Sequence, residues 1–83
     1  MIRAEAVFGC ADSLTPQVAA KLTQTVERYD VRMQLQCGGK RVLLDSLIGI
    51  LSLECARGTR LTVVAEGPEE EAAAGAVVKL LEG

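Results

Sequence analysis

The chain has 83 residues, of which 49% are apolar and 24% charged, and its net charge is −2 at pH 7. This length leaves room for one domain, residues 1–83, with one modest core. The acidic balance, the single Phe and Tyr and the lack of Trp argue against a nucleic-acid surface, because such surfaces need positive charge and stacking aromatic rings.

The first third of the chain predicts a strand, a loop and a helix. Apolar side chains alternate along residues 2–8, the pattern of a half-buried strand, and a loop follows. Thr15 and Pro16 are typical of a helix start, because the hydroxyl caps a free N–H group and Pro needs no hydrogen-bond acceptor there. The buried stripe of this helix is predicted at Ala19, Leu22, Val26 and Tyr29.

A hairpin is predicted next. Val31, Met33 and Leu35 alternate with polar residues and indicate a second strand, and residues 41–44 indicate the strand that returns. The pair Gly38-Gly39 between them can adopt positive φ angles and close a two-residue turn.

Residues 45–53 predict a short helix that Ser46 opens and that carries more apolar side chains than one face can bury. At about 100° per residue these side chains sweep roughly 220° of the helix circumference. A surface helix needs an apolar stripe only somewhat wider than about 100°. The additional apolar side chains must face either a deeper core or a partner protein. The side chains concerned are Leu47, Ile48, Ile50, Leu51 and Leu53.

The last third predicts a connector, a fourth strand and a final helix. Gly58 supplies the turn of the connector, and alternation along residues 61–66 indicates the strand. Residues 69–71 are three glutamates that would face the positive end of the final helix dipole. Gly75 within this helix costs about 1 kcal/mol relative to Ala, which suggests close packing on the sheet. The buried stripe is predicted at Ala73, Val77 and Leu80.

The resulting order is β-α-β-β-α-β-α. Four alternating strands and three helices imply an antiparallel sheet with helices on one face and solvent on the other, an open-faced α+β sandwich. The sequence shows no signal peptide and no membrane-spanning run. We therefore expect a soluble, cytoplasmic protein without direct membrane contact.

The chain has three cysteines and no histidine. Without histidine, no mechanism that needs an imidazole is available. Cys10, Cys37 and Cys55 are odd in number and widely spaced, which fits poorly with a disulfide scaffold or a zinc site. We interpret them as small apolar residues or reduced thiols, leave open whether they meet in space, and expect neither metal nor cofactor.

Over essentially its whole length the chain resembles the HPr family, the small phosphocarriers of the bacterial sugar phosphotransferase system (PTS). This resemblance implies an HPr-like open-faced sandwich whose strands lie in the order 1-4-2-3. It is strongest in residues 46–53, in Gly58-Thr59, in Ala65-Glu66-Gly67 and in the pair Ala19-Ala20.

The active-site motif of the family, Leu-His-x-Arg-Pro-Ala-Ala, is altered here. Residues 14–20 read Leu-Thr-Pro-Gln-Val-Ala-Ala, so Thr15 stands where the family has its phosphoryl-accepting histidine and Gln17 where it has an arginine. A threonine ester lacks the labile P–N bond, and Gln17 lacks the charged fork of arginine. We expect Thr15 to act as a helix cap, and we expect neither phosphoryl relay nor enzymatic activity.

Ser46 matches the serine that a dedicated HPr kinase phosphorylates in many Gram-positive members of the family. A phosphate there would add about −1.5 to −2 charge beside Leu47, Ile48 and Leu51, although Asp45 would repel it or mimic it. The alternative is that Ser46 only caps the helix.

The family also includes the catabolite-repression HPr, which lacks the phosphocarrier histidine and keeps the serine. Similarity to it implies a regulatory, protein-binding module whose partners are HPr kinase, a LacI-type transcriptional regulator or PTS-type enzymes. An alternative is a structural or assembly module that self-associates through the short helix. The expected partner-binding residues are Leu47, Ile48, Leu51, Thr15 and Gln17.

Overall fold

Four strands and three helices follow one another in the order that the sequence predicts. The computed structural model describes residues 1–83, and its strands form one antiparallel sheet in the order β1-β4-β2-β3. The α+β class, the element order and the strand order are therefore confirmed. The elements are β1 (Ile2–Val7), α1 (Pro16–Glu27), β2 (Arg32–Cys37), β3 (Lys40–Leu43), α2 (Leu47–Leu51), β4 (Arg60–Glu66) and α3 (Glu70–Glu82).

The core lies between the sheet and the helices. From the central strand β4, Leu61, Val63 and Ala65 are buried in it, as the alternation predicts. Helix α3 packs on β1 and β4, and α1 packs on both α2 and α3. The largest fully buried side chains are Phe8, Leu22, Leu35, Leu44, Ile50, Leu61, Leu81, Val63 and Val77. None of the three helices combines the length and the hydropathy that crossing a membrane requires.

The buried stripe of α1 differs slightly from the prediction. Ala19, Leu22 and Val26 are buried as expected, and Val18 joins them. Tyr29 does not belong to the helical stripe, because the helix ends at Glu27 and Tyr29 lies half-buried in the turn that follows.

The hairpin closes through the predicted two-residue turn. Cys37 and Lys40 are paired across it, and Gly38 adopts a φ of 61°. Gly39 does not need positive φ, so only the first glycine of the pair uses the conformational freedom that the sequence offers.

Two predictions about helix α3 are wrong. Leu81 is buried in place of Leu80, because Ala73, Val77 and Leu81 are spaced by four residues and that row faces the core. Gly75 is exposed, and a Cβ added to it would meet nothing within 4 Å. Close packing on the sheet therefore does not explain this glycine.

Candidate functional site

Ser46 begins α2 as its N-cap. Its Oγ accepts a hydrogen bond from the backbone N–H of Gly49 at 3.2 Å, and its carbonyl oxygen accepts the N–H of Ile50 at 3.0 Å. Ser46 has an extended backbone, as an N-cap residue normally does. The predicted helix start is confirmed, and one hydroxyl satisfies a backbone donor that the helix itself leaves free.

The apolar side chains of this segment divide between core and surface. Ile50 is fully buried and Leu53 is 4% exposed, whereas Ile48 is 83% exposed. Leu47 and Leu51 are 42% and 38% exposed. We call Leu47, Ile48 and Leu51 the α2 patch. Some of the additional apolar side chains therefore complete the core, namely Ile50 and Leu53, and the α2 patch faces solvent, where contact with a partner stays a prediction.

Hydrogen bonds hold α2 in place at its C-terminal end as well. The hydroxyl of Ser52 donates to the carbonyl of Gly49 at 2.6 Å, and the Nζ of Lys40 donates to the carbonyl of Ser52 at 3.1 Å. The second bond joins the end of α2 to the start of β3. The α2 patch therefore sits on a short helix that is fixed at both ends.

Thr15 caps α1. Its Oγ1 accepts the N–H of Val18 at 3.3 Å, and its carbonyl accepts the N–H of Ala19 at 3.0 Å. Gln17 is exposed, and the first turn of the helix contains no charged side chain. Although α1 packs against α2, no hydrogen bond joins Thr15 or Gln17 to α2. The structure places Thr15 in a capping role at the start of α1.

Arg57 organises the loop that precedes Thr15, a role that the sequence does not predict. Its Nη1 donates to the carbonyl of Gly9 at 2.9 Å, and its Nε and Nη2 donate to Oδ1 of Asp12 at 3.4 and 3.3 Å. No local pattern signals this, because 45 residues separate Arg57 from Asp12. The ion pair is exposed and contributes at most about 1 kcal/mol, so its role is to position the loop.

The three thiols differ in their exposure to solvent. Cys10 and Cys37 are half-buried, Cys55 is buried, and all are free. Burial raises the pKa of Cys55 from 9.0 to about 12, and the charge of Cys37 and a hydrogen bond with it act in the same direction. No cluster of three acidic, cysteine or histidine side chains could hold a metal ion.

Comparison with known proteins agrees with this architecture. The family model described as the PTS HPr component phosphorylation site matches residues 2–83. The phosphocarrier protein HPr of Borreliella burgdorferi is 29% identical over 82 residues, which are 99% of this chain and 95% of that protein.

Two solved structures are similar over most of the chain. HPr-C-His from Thermoanaerobacter tengcongensis has a TM-score of 0.90 at 29% identity and covers 99% of this chain and 92% of its own. Crh of Bacillus subtilis, a catabolite repression protein described as an intertwined dimer with a swapping domain, has a TM-score of 0.79 at 28% identity. That match covers 87% of this chain and 83% of Crh.

Proposed function

The chain belongs to the PTS HPr family, and from this premise we propose that it is a regulatory member, not an enzyme, that binds partner proteins and relays no phosphate. The observation that carries the proposal is the exposure of the α2 patch directly after Ser46. A surface of this kind supports recognition. The residues at the family's phosphoryl-accepting position, by contrast, do not support transfer.

Thr15 is poorly suited to relay a phosphoryl group. Its hydroxyl oxygen already accepts a backbone N–H, and a phosphate on it would form a stable ester in place of a labile P–N bond. Pro16 has no N–H to offer to a phosphate at the helix start. Gln17 is neutral and exposed, so it cannot form the charge-assisted fork that an arginine provides. Thr15 and Gln17 remain candidate contact residues for a partner.

The α2 patch is suited to recognition by a partner protein. Fully burying Ile48, which is 83% exposed, against a partner contributes about 1.5–3 kcal/mol, and Leu51, which is only 38% exposed, contributes less. The capping bonds at Ser46 and Ser52 fix the helix before binding, so little conformational entropy is lost when the partner docks. We expect these three side chains to form the centre of the interface.

Ser46 is the proposed switch for this surface. A phosphate on its Oγ would lie at the N-terminus of α2, where backbone N–H groups can donate to it. It would also place about −1.5 to −2 charge beside Leu47 and next to the exposed Asp45. Candidate partners are HPr kinase, a LacI-type regulator and PTS enzymes, all of which would meet this chain in the cytoplasm.

The experiment is incubation of the reduced chain with HPr kinase and ATP, followed by intact mass measurement and peptide mapping. We expect one phosphate on Ser46, none on the Ser46→Ala variant, and full incorporation into Ser52→Ala, which removes the other serine of the same segment. Lack of incorporation into the wild-type chain, or equal incorporation into Ser46→Ala, would contradict the switch.

A second candidate function is self-association through the α2 patch. It is favoured by the similarity to Crh, whose structure is described as an intertwined dimer. Light scattering over a range of concentrations separates the two functions. An assembly module dimerises as concentration rises and loses this behaviour in Ile48→Asp, whereas a partner-binding module stays monomeric.

A further inference from the structure

The face of the sheet that points away from the helices carries an excess of positive charge. Alternation along β4 places Leu61 and Val63 in the core, so the residues between them, and those paired with these on neighbouring strands, point to solvent. This outer face holds four of the nine cationic side chains of the chain but only two of its eleven acidic ones, although the whole chain has a net charge of −2. The charged residues of the outer face are Arg3, Arg32, Arg41, Arg60, Glu5 and Glu66.

Three of the four arginines line one depression on this face. Val64 of β4 lies opposite both Arg3 of β1 and Gln34 of β2. Gln36, two residues further along β2, lies opposite Arg41 of β3. These side chains and Arg32 line a depression of about 190 Å³, and Arg3, Gln36 and Arg41 also line a second depression of about 470 Å³. The register of the sheet therefore brings cations from three strands together.

The three arginines have no acidic partner within the chain. Its two ion pairs involve the N-terminus and Arg57. Glu66, the only acid that lines the first depression, lies opposite Arg32 but forms no ion pair with it. Val64 is only 7% exposed although it lies outside the core cluster, so side chains of the outer face cover it, as arginine stems do while their charged ends stay in water. The guanidinium groups are therefore available to a ligand.

The chemistry of the lining indicates what kind of ligand fits. Small-molecule pockets are lined predominantly by apolar side chains, whereas two of the eight residues around the first depression are apolar and none around the second. Nucleic-acid surfaces stack bases on aromatic rings, and the strands of this face contain none. Guanidinium groups bind carboxylates through paired, charge-assisted hydrogen bonds. A protein segment that carries several carboxylates matches this surface.

We propose that the outer face of the sheet is a second docking surface, which binds an acidic segment of a partner protein. Arg3, Arg32 and Arg41 bind the carboxylates of this segment, and the amides of Gln34 and Gln36 offer both donors and acceptors to its backbone. Because the helices cover the other side of the sheet, the α2 patch stays free while this surface is occupied. The proposal does not depend on phosphorylation of Ser46 or on the role of the α2 patch.

The test titrates the full chain into a fluorescein-labelled peptide of alternating Glu and Ser residues and follows fluorescence anisotropy at low ionic strength. The matched control peptide has Gln in place of every Glu. We expect saturable binding of the Glu peptide alone, and weaker binding as salt is added. Amide chemical shifts in nuclear magnetic resonance spectra should change along β2 and at Val64, and should stay unchanged at Ile48.

Charge-removing variants locate the contact. Arg32→Gln and Arg41→Gln should each weaken binding by about fivefold, and the double variant should weaken it further. Arg28→Gln is the matched control, because it removes one exposed charge that lies outside the sheet, just after α1, and it should bind like the wild-type chain. Circular dichroism verifies that each variant is folded.

Several results would overturn the proposal. Equal binding of the Gln peptide, equal weakening by Arg28→Gln, or shifts confined to α2 would show that the outer face does not recognise carboxylates. Dimerisation of the chain that Arg32→Gln abolishes would identify a second copy as the occupant instead. Tighter binding of a DNA duplex than of the Glu peptide would identify a nucleic acid.

Discussion

The hydroxyl oxygen of Ser46 lies 3.3 Å from the position that a Cβ on residue 49 would occupy, and Gly49 leaves that position empty. The same oxygen accepts the N–H of Gly49 at 3.2 Å. The glycine allows the cap to approach closely, so the residue that begins α2 is also the one that we propose as its phosphorylation site. Modification must therefore replace a structural hydrogen bond.

Ser46→Ala removes this cap, and we expect the free energy of unfolding to fall by about 1 kcal/mol. Chemical denaturation followed by circular dichroism measures the change. Ser13→Ala is the matched control, because Ser13 is exposed and its hydroxyl forms no hydrogen bond. Equal stability of Ser46→Ala and Ser13→Ala would show that the cap contributes nothing.

Truncation of the two isoleucines of α2 should affect stability to very different degrees. Ile50→Ala creates a cavity at a fully buried position and should lower the free energy of unfolding by about 2–5 kcal/mol. Ile48→Ala removes an 83% exposed side chain and should change stability by less than about 0.5 kcal/mol while weakening partner binding. Thermal unfolding and calorimetric titration with HPr kinase measure the two effects. A large loss of stability in Ile48→Ala would show that its side chain belongs to the core.

Glycine substitutions should also differ by position. Gly75→Ala should stabilise the chain by about 1 kcal/mol, because a helix interior favours Ala and the added methyl group meets nothing. Gly67→Ala should destabilise it, since Gly67 has a φ of 148° and its Cβ would lie 2.8 Å from the carbonyl oxygen of Asp30. Denaturation midpoints of the two variants test this contrast, and a stabilising Gly67→Ala would contradict it.

Cys55 should be the slowest thiol to alkylate near pH 8, because its pKa is raised from 9.0 to about 12 in the folded chain. Below pH 9 both folded and unfolded chains keep the proton. From about pH 9 towards 12 only the unfolded chain releases it, so the stability that this group contributes falls as the pH rises. Peptide mapping during alkylation measures the rates, and comparable rates at Cys55 and Cys37 would contradict the burial argument.

Local signals in the sequence predicted much of this molecule. The caps at Thr15 and Ser46 and the turn at Gly38 depend on neighbouring residues, and each was identified correctly. The sequence predicts that Leu80 is buried, but Leu81 is the buried residue, because a step of one residue along the helix decides which side chain faces the sheet. Periodicity predicts that a helix has a buried face, but not the angle at which that face meets its neighbour.

Long-range contacts could not be predicted in this way. The bond between Arg57 and Asp12 joins segments that are distant along the chain. The division of α2 between Ile50 in the core and Ile48 in solvent depends on packing against α1. Each of these features arises only when the complete fold is assembled.

The most direct test of the central claim is incubation with radiolabelled phosphoenolpyruvate and the general PTS enzyme, beside an HPr that carries the active-site histidine. We predict that the control becomes labelled and that this chain does not, because Thr15 caps α1 and no histidine is present. Acid-labile phosphate on this chain, passed onward to a sugar transporter component, would contradict the account.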